Sequence, residues 1–218
     1  MPNIIFIDGE NFRKKVKEVL INENLIDKNN EPNWRNFNFA GLFDELLEGI
    51  KFDRKVFYFA KIEKHPDTPK KSEELIERRR QLKNFLESES QKFEIIIAGR
   101  VRGHYTDKAI IKSGIMFKGK NGRALVFDEK GVDVKMAVDM VALTCDGNLN
   151  TAILASSDSD LLPAIKEIIK RGKECIYIGF ESSPNKGMSY SVSRTRLIRN
   201  SEIVKYFKNE AMDSRIKT

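Results

Sequence analysis

Acidic side chains follow two of the buried strands that the sequence predicts. Asp8 directly follows the apolar run Asn3–Ile7, and Asp158 and Asp160 come just after a second apolar run, Thr151–Ala155. Asp133 stands at the start of the predicted helix that precedes this second strand. Because ligands of open parallel α/β sheets collect at the carboxyl ends of the strands, we expect Asp8, Asp158 and Asp160 at one edge of a sheet. Asp133 joins them if its helix begins at that edge.

Carboxylates that are brought together repel one another, so such a cluster costs stability unless a cation neutralises it. Oxygen ligands of this kind suit Mg²⁺ or Mn²⁺. A metal held there would activate a bound water and stabilise the charge that develops when a phosphodiester bond is hydrolysed. Each acid also has a structural interpretation, as a turn residue or a helix cap. A cap does not exclude ligation, since one carboxylate has two oxygens.

Two further polar residues are candidates for the same site. Asn11 lies about one helical turn after the first acid, where its amide would bind a phosphate or a metal-bound water, orient Asp8, or only cap a helix. Asp139 lies six residues after Asp133, which places the two about 120° apart on a helix. The stripe formed by Val134, Ala137, Val138 and Val141 is expected to face the core. Asp139 points away from the centre of that stripe and ranks below the other acids.

Basic residues concentrate in two places. The candidates for binding nucleic acid are Arg100, Arg102, Lys118, Lys120 and Arg123 in the middle of the chain, and Arg194 and Arg196 near its end. Basic side chains neutralise phosphates, and interleaved aromatic residues can stack on unpaired bases. The middle group would then guide a strand into the acidic site. A solvated loop with ordinary surface charge is the alternative.

The elements that must position these residues alternate between strand and helix. Short apolar runs predict buried strands, and apolar residues at helical spacing predict the helices between them. This alternation predicts an α/β fold in which helices cover both faces of a mostly parallel sheet. The predicted strands are Asn3–Ile7, Lys55–Ala60, Phe93–Ala98, Thr151–Ala155 and Cys175–Gly179, and the predicted helices include Asn11–Leu20, Phe39–Ile50, Lys70–Glu89, Val134–Leu143, Asp160–Arg171 and Ile203–Phe207.

One glycine-rich stretch interrupts this alternation. Residues 99–130 contain β-like pieces at Ile115–Phe117 and Ala124–Phe127, and Asn121-Gly122 is a strong turn signal between them. We therefore predict an inserted β-arm. The expected organisation is one domain over residues 1–180, which contains the arm, and a C-terminal extension over residues 181–218 that packs on it.

Composition excludes several classes of protein. The chain has 218 residues, a formal net charge of +7 and two cysteines, so a disulfide scaffold is excluded. No apolar run approaches the length of a membrane-spanning helix. The first residues lack a basic region and a long apolar run, so we expect no signal peptide and a cytoplasmic location. The positive charge is compatible with a polyanionic partner.

Three segments together resemble the NYN domain, a group of PIN-like nucleases that includes the LabA-like proteins. They are Ile5–Asn11, Lys130–Met140 and Ser156–Pro163, in the family's order. The resemblance implies a PIN-like Rossmannoid fold and metal-dependent ribonuclease activity. It also implies that Asp8, Asp133, Asp158 and Asp160 form the acidic site, and it raises the rank of Asp139. Family membership alone does not establish that the chain cuts RNA.

Two functions from different classes therefore stay open. The first is a Mg²⁺- or Mn²⁺-dependent ribonuclease, which the set of acids favours. The second is a nucleic-acid-binding or regulatory module that keeps the fold without turnover. The same metal chemistry would also fit a phosphatase or nucleotide hydrolase. RNA is the expected partner, another single-stranded nucleic acid is an alternative, and self-association of the chain is left open.

Overall fold

The computed structural model describes residues 1–106, 117–118 and 124–208. In these residues, eight strands form one sheet and seven α-helices accompany it. The strands are β1 (Asn3–Asp8), β2 (Arg54–Lys61), β3 (Glu94–Thr106), β4 (Phe117–Lys118), β5 (Ala124–Lys130), β6 (Thr151–Ala155), β7 (Glu174–Phe180) and β8 (Arg194–Ile198). The helices are α1 (Gly9–Asn22), α2 (Phe39–Leu46), α3 (Pro69–Leu86), α4 (Val132–Cys145), α5 (Leu162–Lys170), α6 (Lys186–Ser191) and α7 (Asn200–Tyr206).

The order of strands across the sheet is β4-β5-β3-β2-β1-β6-β7-β8. Six neighbouring strands are parallel to one another, and these are β3, β2, β1, β6, β7 and β8. The strand β5 is antiparallel to both of its neighbours, β3 and β4. From β1, the chain adds β2 and then β3 toward one edge of the sheet. It later adds β6, β7 and β8 toward the other edge. The direction of growth therefore reverses between β1 and β6. The predicted α/β class with a mostly parallel sheet is confirmed.

Helices cover both faces of the sheet because its central strands are apolar on both sides. Ile5 and Ile7 of β1 pack with the helices α1, α2, α3 and α7, in a core rich in phenylalanine. Ile4 and Phe6 of the same strand pack on the opposite face with α4, α5 and α6. Burial of alternate residues on both faces explains why β1 forms a nearly uninterrupted apolar run in the sequence.

The orientation of α4 differs from the expectation. Val134 and Val138 are 61% and 55% exposed, whereas Val132, Met136 and Met140 are buried against the sheet. The prediction that Val134 and Val138 face the core is therefore wrong. Both sets of residues have helical spacing, and α4 carries apolar residues around most of its circumference. Periodicity alone could not choose between the two faces.

The predicted β-arm is present as an extension of the main sheet. The strand β3 runs on to Thr106, and its second half pairs with β5. Gly99 lies where β3 passes from its pairing with β2 to its pairing with β5. Glycine is needed there because φ is +65° and a Cβ would lie 2.0 Å from the carbonyl oxygen of Lys130. The strands β4 and β5 pair as the two sides of the expected hairpin. Its tip is expected at Lys118–Arg123; Lys118 lies in β4 instead, and residues 119–123 lie outside the described residues.

The described chain after β7 adds three elements, α6, β8 and α7, to the layers of the fold. The strand β8, which the sequence reading did not include, pairs in parallel with β7 at the edge of the sheet. The predicted terminal helix is present as α7 and packs against α1 and α2.

Candidate active site

Three aspartates meet at the carboxyl edge of the sheet. Asp133 lies in the first turn of α4, Asp158 follows β6, and Asp160 lies in the 3-10 turn Ser159–Leu161. One carboxylate oxygen from each residue lies within 4.8 Å of the others. Of the four aspartates expected to form the site, these three are brought within ligand distance of one another.

Asp8 lies beside this cluster at the end of β1 and is buried. Its Oδ1 accepts the backbone N–H of Asn11 at 3.0 Å, so it is the N-cap of α1. Ser156 joins Asp8 to the cluster, because its hydroxyl donates to Oδ2 of Asp8 at 3.4 Å and accepts the backbone N–H of Asp158 at 3.2 Å. Burial raises the pKa of Asp8 to about 6; the N–H of Asn11 opposes this rise and the negative charge of Asp158 adds to it.

The position of the acids follows from the sheet topology. Strands β1 and β6 are neighbours, and Ile7 pairs with Ala155, so Asp8 and the turn that carries Asp158 leave the sheet side by side. This is the point at which the strand order reverses, where open α/β sheets form a crevice. Asp158 also caps its own turn by accepting the backbone N–H of Asp160 at 2.9 Å. Asp8 and Asp158 therefore act as caps, and Asp158 is at the same time a member of the acidic cluster.

Two amide side chains fix the backbone between the acids. Asn11 Oδ1 accepts both the backbone N–H of Ser157, at 3.2 Å, and its hydroxyl, at 3.0 Å. Asn185 Nδ2 donates to the carbonyl oxygen of Ser157 at 3.0 Å from the other side. Asn11 thus has a positioning contact that reaches across to the loop after β6. Asn185 lies far along the chain, and no motif around it indicated this contact.

Glu129 is a second residue that the sequence analysis missed. It lies on β5 opposite Val101. Burial is the largest cause that raises the pKa of Glu129 to about 8, and the negative charges of Glu10 and Asp8 add to it. Only the antiparallel pairing of β5 with β3 brings this carboxyl toward the acidic edge. A sequence pattern for a parallel sheet cannot show that pairing.

A groove of about 1940 Å³ opens beside the aspartates. The first turns of α1, one side of α3 and the second half of β5 contribute to its walls. Its lining includes Asp8, Asn11, Glu129, Asp133, Asp158 and Asp160. The acidic edge therefore opens onto a groove that is large enough for part of a polymeric ligand.

Comparison with known proteins agrees with this geometry. The model of the NYN domain matches residues 3–197, which is nearly the whole chain. This chain belongs to the NYN domain family. The family is part of the PIN-like nuclease superfamily, and in this member the acidic cluster lies at the switch point of the sheet.

Two individual proteins are similar to this NYN chain. The uncharacterized protein MJ0482 of Methanocaldococcus jannaschii is 37% identical over 94 residues, which are 41% of this chain and 36% of that protein. The match thus spans about a third of that relative's length. A crystal structure of a protein of unknown function from Vibrio parahaemolyticus has a TM-score of 0.45 and 15% identity, and it covers 90% of this chain and 93% of its own.

Asp139 does not join the acidic cluster of this NYN domain. Its Oδ2 accepts the hydroxyl of Tyr58 at 3.0 Å, and its Oδ1 forms an ion pair with Lys135. It lines a separate cavity of about 280 Å³ that also contacts Arg54 at the start of β2. Six residues of α4 separate Asp139 from Asp133, and the helix carries it along the sheet and away from the carboxyl edge.

The basic candidates are spread over both ends of the sheet. Arg100 and Arg102 lie on β3, in register with Lys130 and Asp128, and neither lines the groove. Lys118 is part of β4, and Lys120 and Arg123 lie outside the described residues. Arg194 and Arg196 lie on β8, at the opposite edge of the sheet, where Arg194 pairs with Glu174 at 2.9 Å.

The described helices include none that is both long and apolar enough to span a bilayer.

Proposed function

We propose that this protein is a divalent-metal-dependent ribonuclease that hydrolyses phosphodiester bonds. The observation that carries the proposal is the meeting of Asp133, Asp158 and Asp160, with carboxylate oxygens within 4.8 Å of one another. Membership of the PIN-like nuclease superfamily supports the same reaction class. The choice of RNA rests on the family and on the groove described above.

The residues present fit a hard divalent cation. The donor set consists of aspartate oxygens alone, which Mg²⁺ and Mn²⁺ prefer over nitrogen or sulfur. Asp133, Asp158 and Asp160 would hold the ion, with Asp8 beside them. When bound, such an ion would lower the pKa of a water and stabilise negative charge on a phosphate oxygen. The carboxylates would otherwise repel one another at this distance.

The chain's own groups hold this site rigid. Ser156 fixes Asp8 relative to Asp158, and the contact of Asn11 with Ser157 holds the intervening turn against α1. Asp8 itself is buried beside the cluster. Such preorganisation is required because a reacting phosphate must be held within about 0.5 Å of its productive position.

A cleavage panel tests the proposal. Purified protein is incubated with single-stranded RNA, structured RNA, single-stranded DNA and duplex DNA, each in the presence of Mn²⁺, Mg²⁺ or EDTA. We expect metal-dependent cleavage of RNA that Asp158→Asn abolishes. The matched control is Asp146→Asn, which removes an exposed carboxylate just beyond the far end of α4 and should cut like the wild type.

Three results would contradict the proposal. Equal cleavage by wild type and Asp158→Asn would indicate a contaminant. RNA binding without any metal-dependent product would favour the non-catalytic binding module. Release of inorganic phosphate from mononucleotides, with intact RNA, would favour a phosphatase. Thermal unfolding of both variants shows whether a loss of activity reflects a loss of fold.

A further inference from the structure

We propose that the α1–α3 wall of the groove, and not the β-arm, binds the RNA strand next to the aspartate cluster. This inference rests on the proposed function only for the choice of RNA. The wall is formed by the face of α1 that carries Lys14 and Lys17 and by the face of α3 that carries Lys71 and Arg78. The positive charges of this wall would bind the phosphates of an unpaired RNA strand.

The positions along α1 give the wall its direction. Asp8 and Asn11 lie at the start of the helix, inside the acidic site. Lys14 and Lys17 follow on the groove side at intervals of three residues, so each lies about 4.5 Å further along the helix axis. A strand with one phosphate at the aspartates would therefore meet positive charge one and two turns farther along α1.

Two cations on this wall are available for a ligand. Lys14 and Arg78 are exposed, and neither has a carboxylate partner among the described residues. Lys17 and Lys71 are different, because they pair with Glu31 at 2.7 Å and Glu74 at 3.4 Å. Lys14 and Arg78 are thus the groups whose charge a phosphate can neutralise at low cost.

Two guanidinium groups beneath them hold additional positive charge in place. Arg13 and Arg79 both bond to Oε1 of Glu10, and Arg13 also pairs with Glu31, the partner of Lys17, so three cations share two carboxylates. Arg13 also stacks over the ring of Trp34, at 4.8 Å, and Arg79 over the ring of Phe59, at 4.1 Å. In the described structure, Arg13 Nε and Arg79 Nη1 are buried and lack a hydrogen-bond acceptor. The wall therefore retains positive charge that its own acids only partly offset.

Apolar side chains in the lining of the groove favour a single strand. Ile26, Leu75 and Val101 are only half-buried and line the same groove. A duplex presents its phosphates outward and encloses its bases, so it would leave these residues exposed to water. An unpaired strand offers both phosphates and base faces, which a groove with cations and apolar surface can bind together.

Arg100 and Arg102, the arginines at the base of the β-arm, are not part of the groove lining. Successive residues of a strand point to opposite faces, so Arg100 and Arg102 face away from Val101, which lines the groove. Their cross-strand neighbours Lys130 and Asp128 do line the groove, but Arg100 and Arg102 themselves do not. A strand bound along the α1–α3 wall would therefore not depend on contacts with these two arginines.

Binding in EDTA tests the assignment without any cleavage. A labelled single-stranded RNA of about 10 nucleotides is titrated with the full chain at several salt concentrations. The double variant Lys14→Gln, Arg78→Gln is compared with Arg100→Gln, Arg102→Gln. A matched loss of two charges on the far layer, Lys166→Gln, Lys170→Gln, controls for net charge.

Each lost phosphate contact should lower the salt slope by about 0.7, so the Lys14, Arg78 variant should lose about 1.4 and bind roughly 25-fold more weakly near 0.1 M salt. The other two variants should bind like the wild type. Equal weakening by all three would mean nonspecific charge, and weakening only by the arm variant would move the strand to the arm. Wild-type binding to duplex RNA as tight as to the single strand would also overturn the proposal. If the predicted pattern appears and no metal-dependent cleavage is seen, the ribonuclease proposal fails while this inference stands.

Discussion

The carboxyl of Glu129 gives the most direct test of the electrostatics at the acidic edge. Burial is the largest cause that raises the pKa of this carboxyl; the negative charges of Glu10, Asp8 and Asp133 add to the rise, and the positive charge of Arg79 opposes it. In the folded protein the pKa of Glu129 is about 8, compared with an ordinary value of 4.5. We predict that Glu129→Gln, which mimics the protonated carboxyl, stabilises the metal-free protein near neutral pH.

The sign and size follow from proton linkage. Between pH 4.5 and about 8, the folded protein keeps a proton on Glu129 that the unfolded chain has lost, so its stability falls as pH rises through this window. One pKa unit corresponds to about 1.4 kcal/mol, which gives about 3 kcal/mol near pH 7. Glu129 is only partly buried, so solvent screening reduces the expected gain of the variant to about 2 kcal/mol.

The assay is thermal unfolding in EDTA at about pH 4.5 and about pH 7.5. For a chain of this length, about 2 kcal/mol raises the midpoint of unfolding by about 4–8 °C. The gain should be present at the higher pH and nearly absent at the lower one. Glu89→Gln, which changes a 99% exposed carboxylate, should show no such difference between the two pH values. A gain for Glu129→Gln that is the same at both pH values, or a loss at the higher one, would refute the reasoning.

Three further predictions test the placement of single residues. Asp139→Asn should keep RNA cleavage within about threefold of wild type, because its carboxylate is held away from the cluster; a loss as large as that of Asp158→Asn in the same assay would return it to the site. Asn185→Ala should lower the cleavage rate or Mn²⁺ affinity by about 10- to 100-fold, measured by kinetics and calorimetry, because the turn before Asp158 loses an anchor. Gly99→Ala should destabilise the fold by more than about 1 kcal/mol in urea, since its Cβ would meet a backbone carbonyl at positive φ; an unchanged midpoint would contradict the strain.

Much of the fold and the acidic edge could be predicted from the sequence. Strands buried on both faces appear as uninterrupted apolar runs, and the parallel arrangement then places Asp8 and Asp158 at one edge. These inferences depend on local pattern and on a general rule of topology. Both are properties that a single chain carries in its own residues.

The missed features depend on contacts between distant parts of the chain. The rotation of α4 is set by how Met136 and Met140 pack on the sheet, and the helix is too apolar all around to reveal it. Glu129 reaches the site only because β5 pairs with β3. Asn185 contributes one side-chain amide from a segment with no motif. In each case the deciding interaction is tertiary, so local periodicity had no signal to offer.

The separation of the acids along the chain has a consequence for biosynthesis. Asp8 is made early, whereas Asp133 and Asp158 follow it by 125 and 150 residues. Its strand β1 is bordered on one side by β2, and its other edge is completed only by β6. Because domains fold as units while the N-terminal part emerges first, a nascent chain on the ribosome holds the first carboxylate without its partners. The centre therefore assembles only after most of the domain has been synthesised.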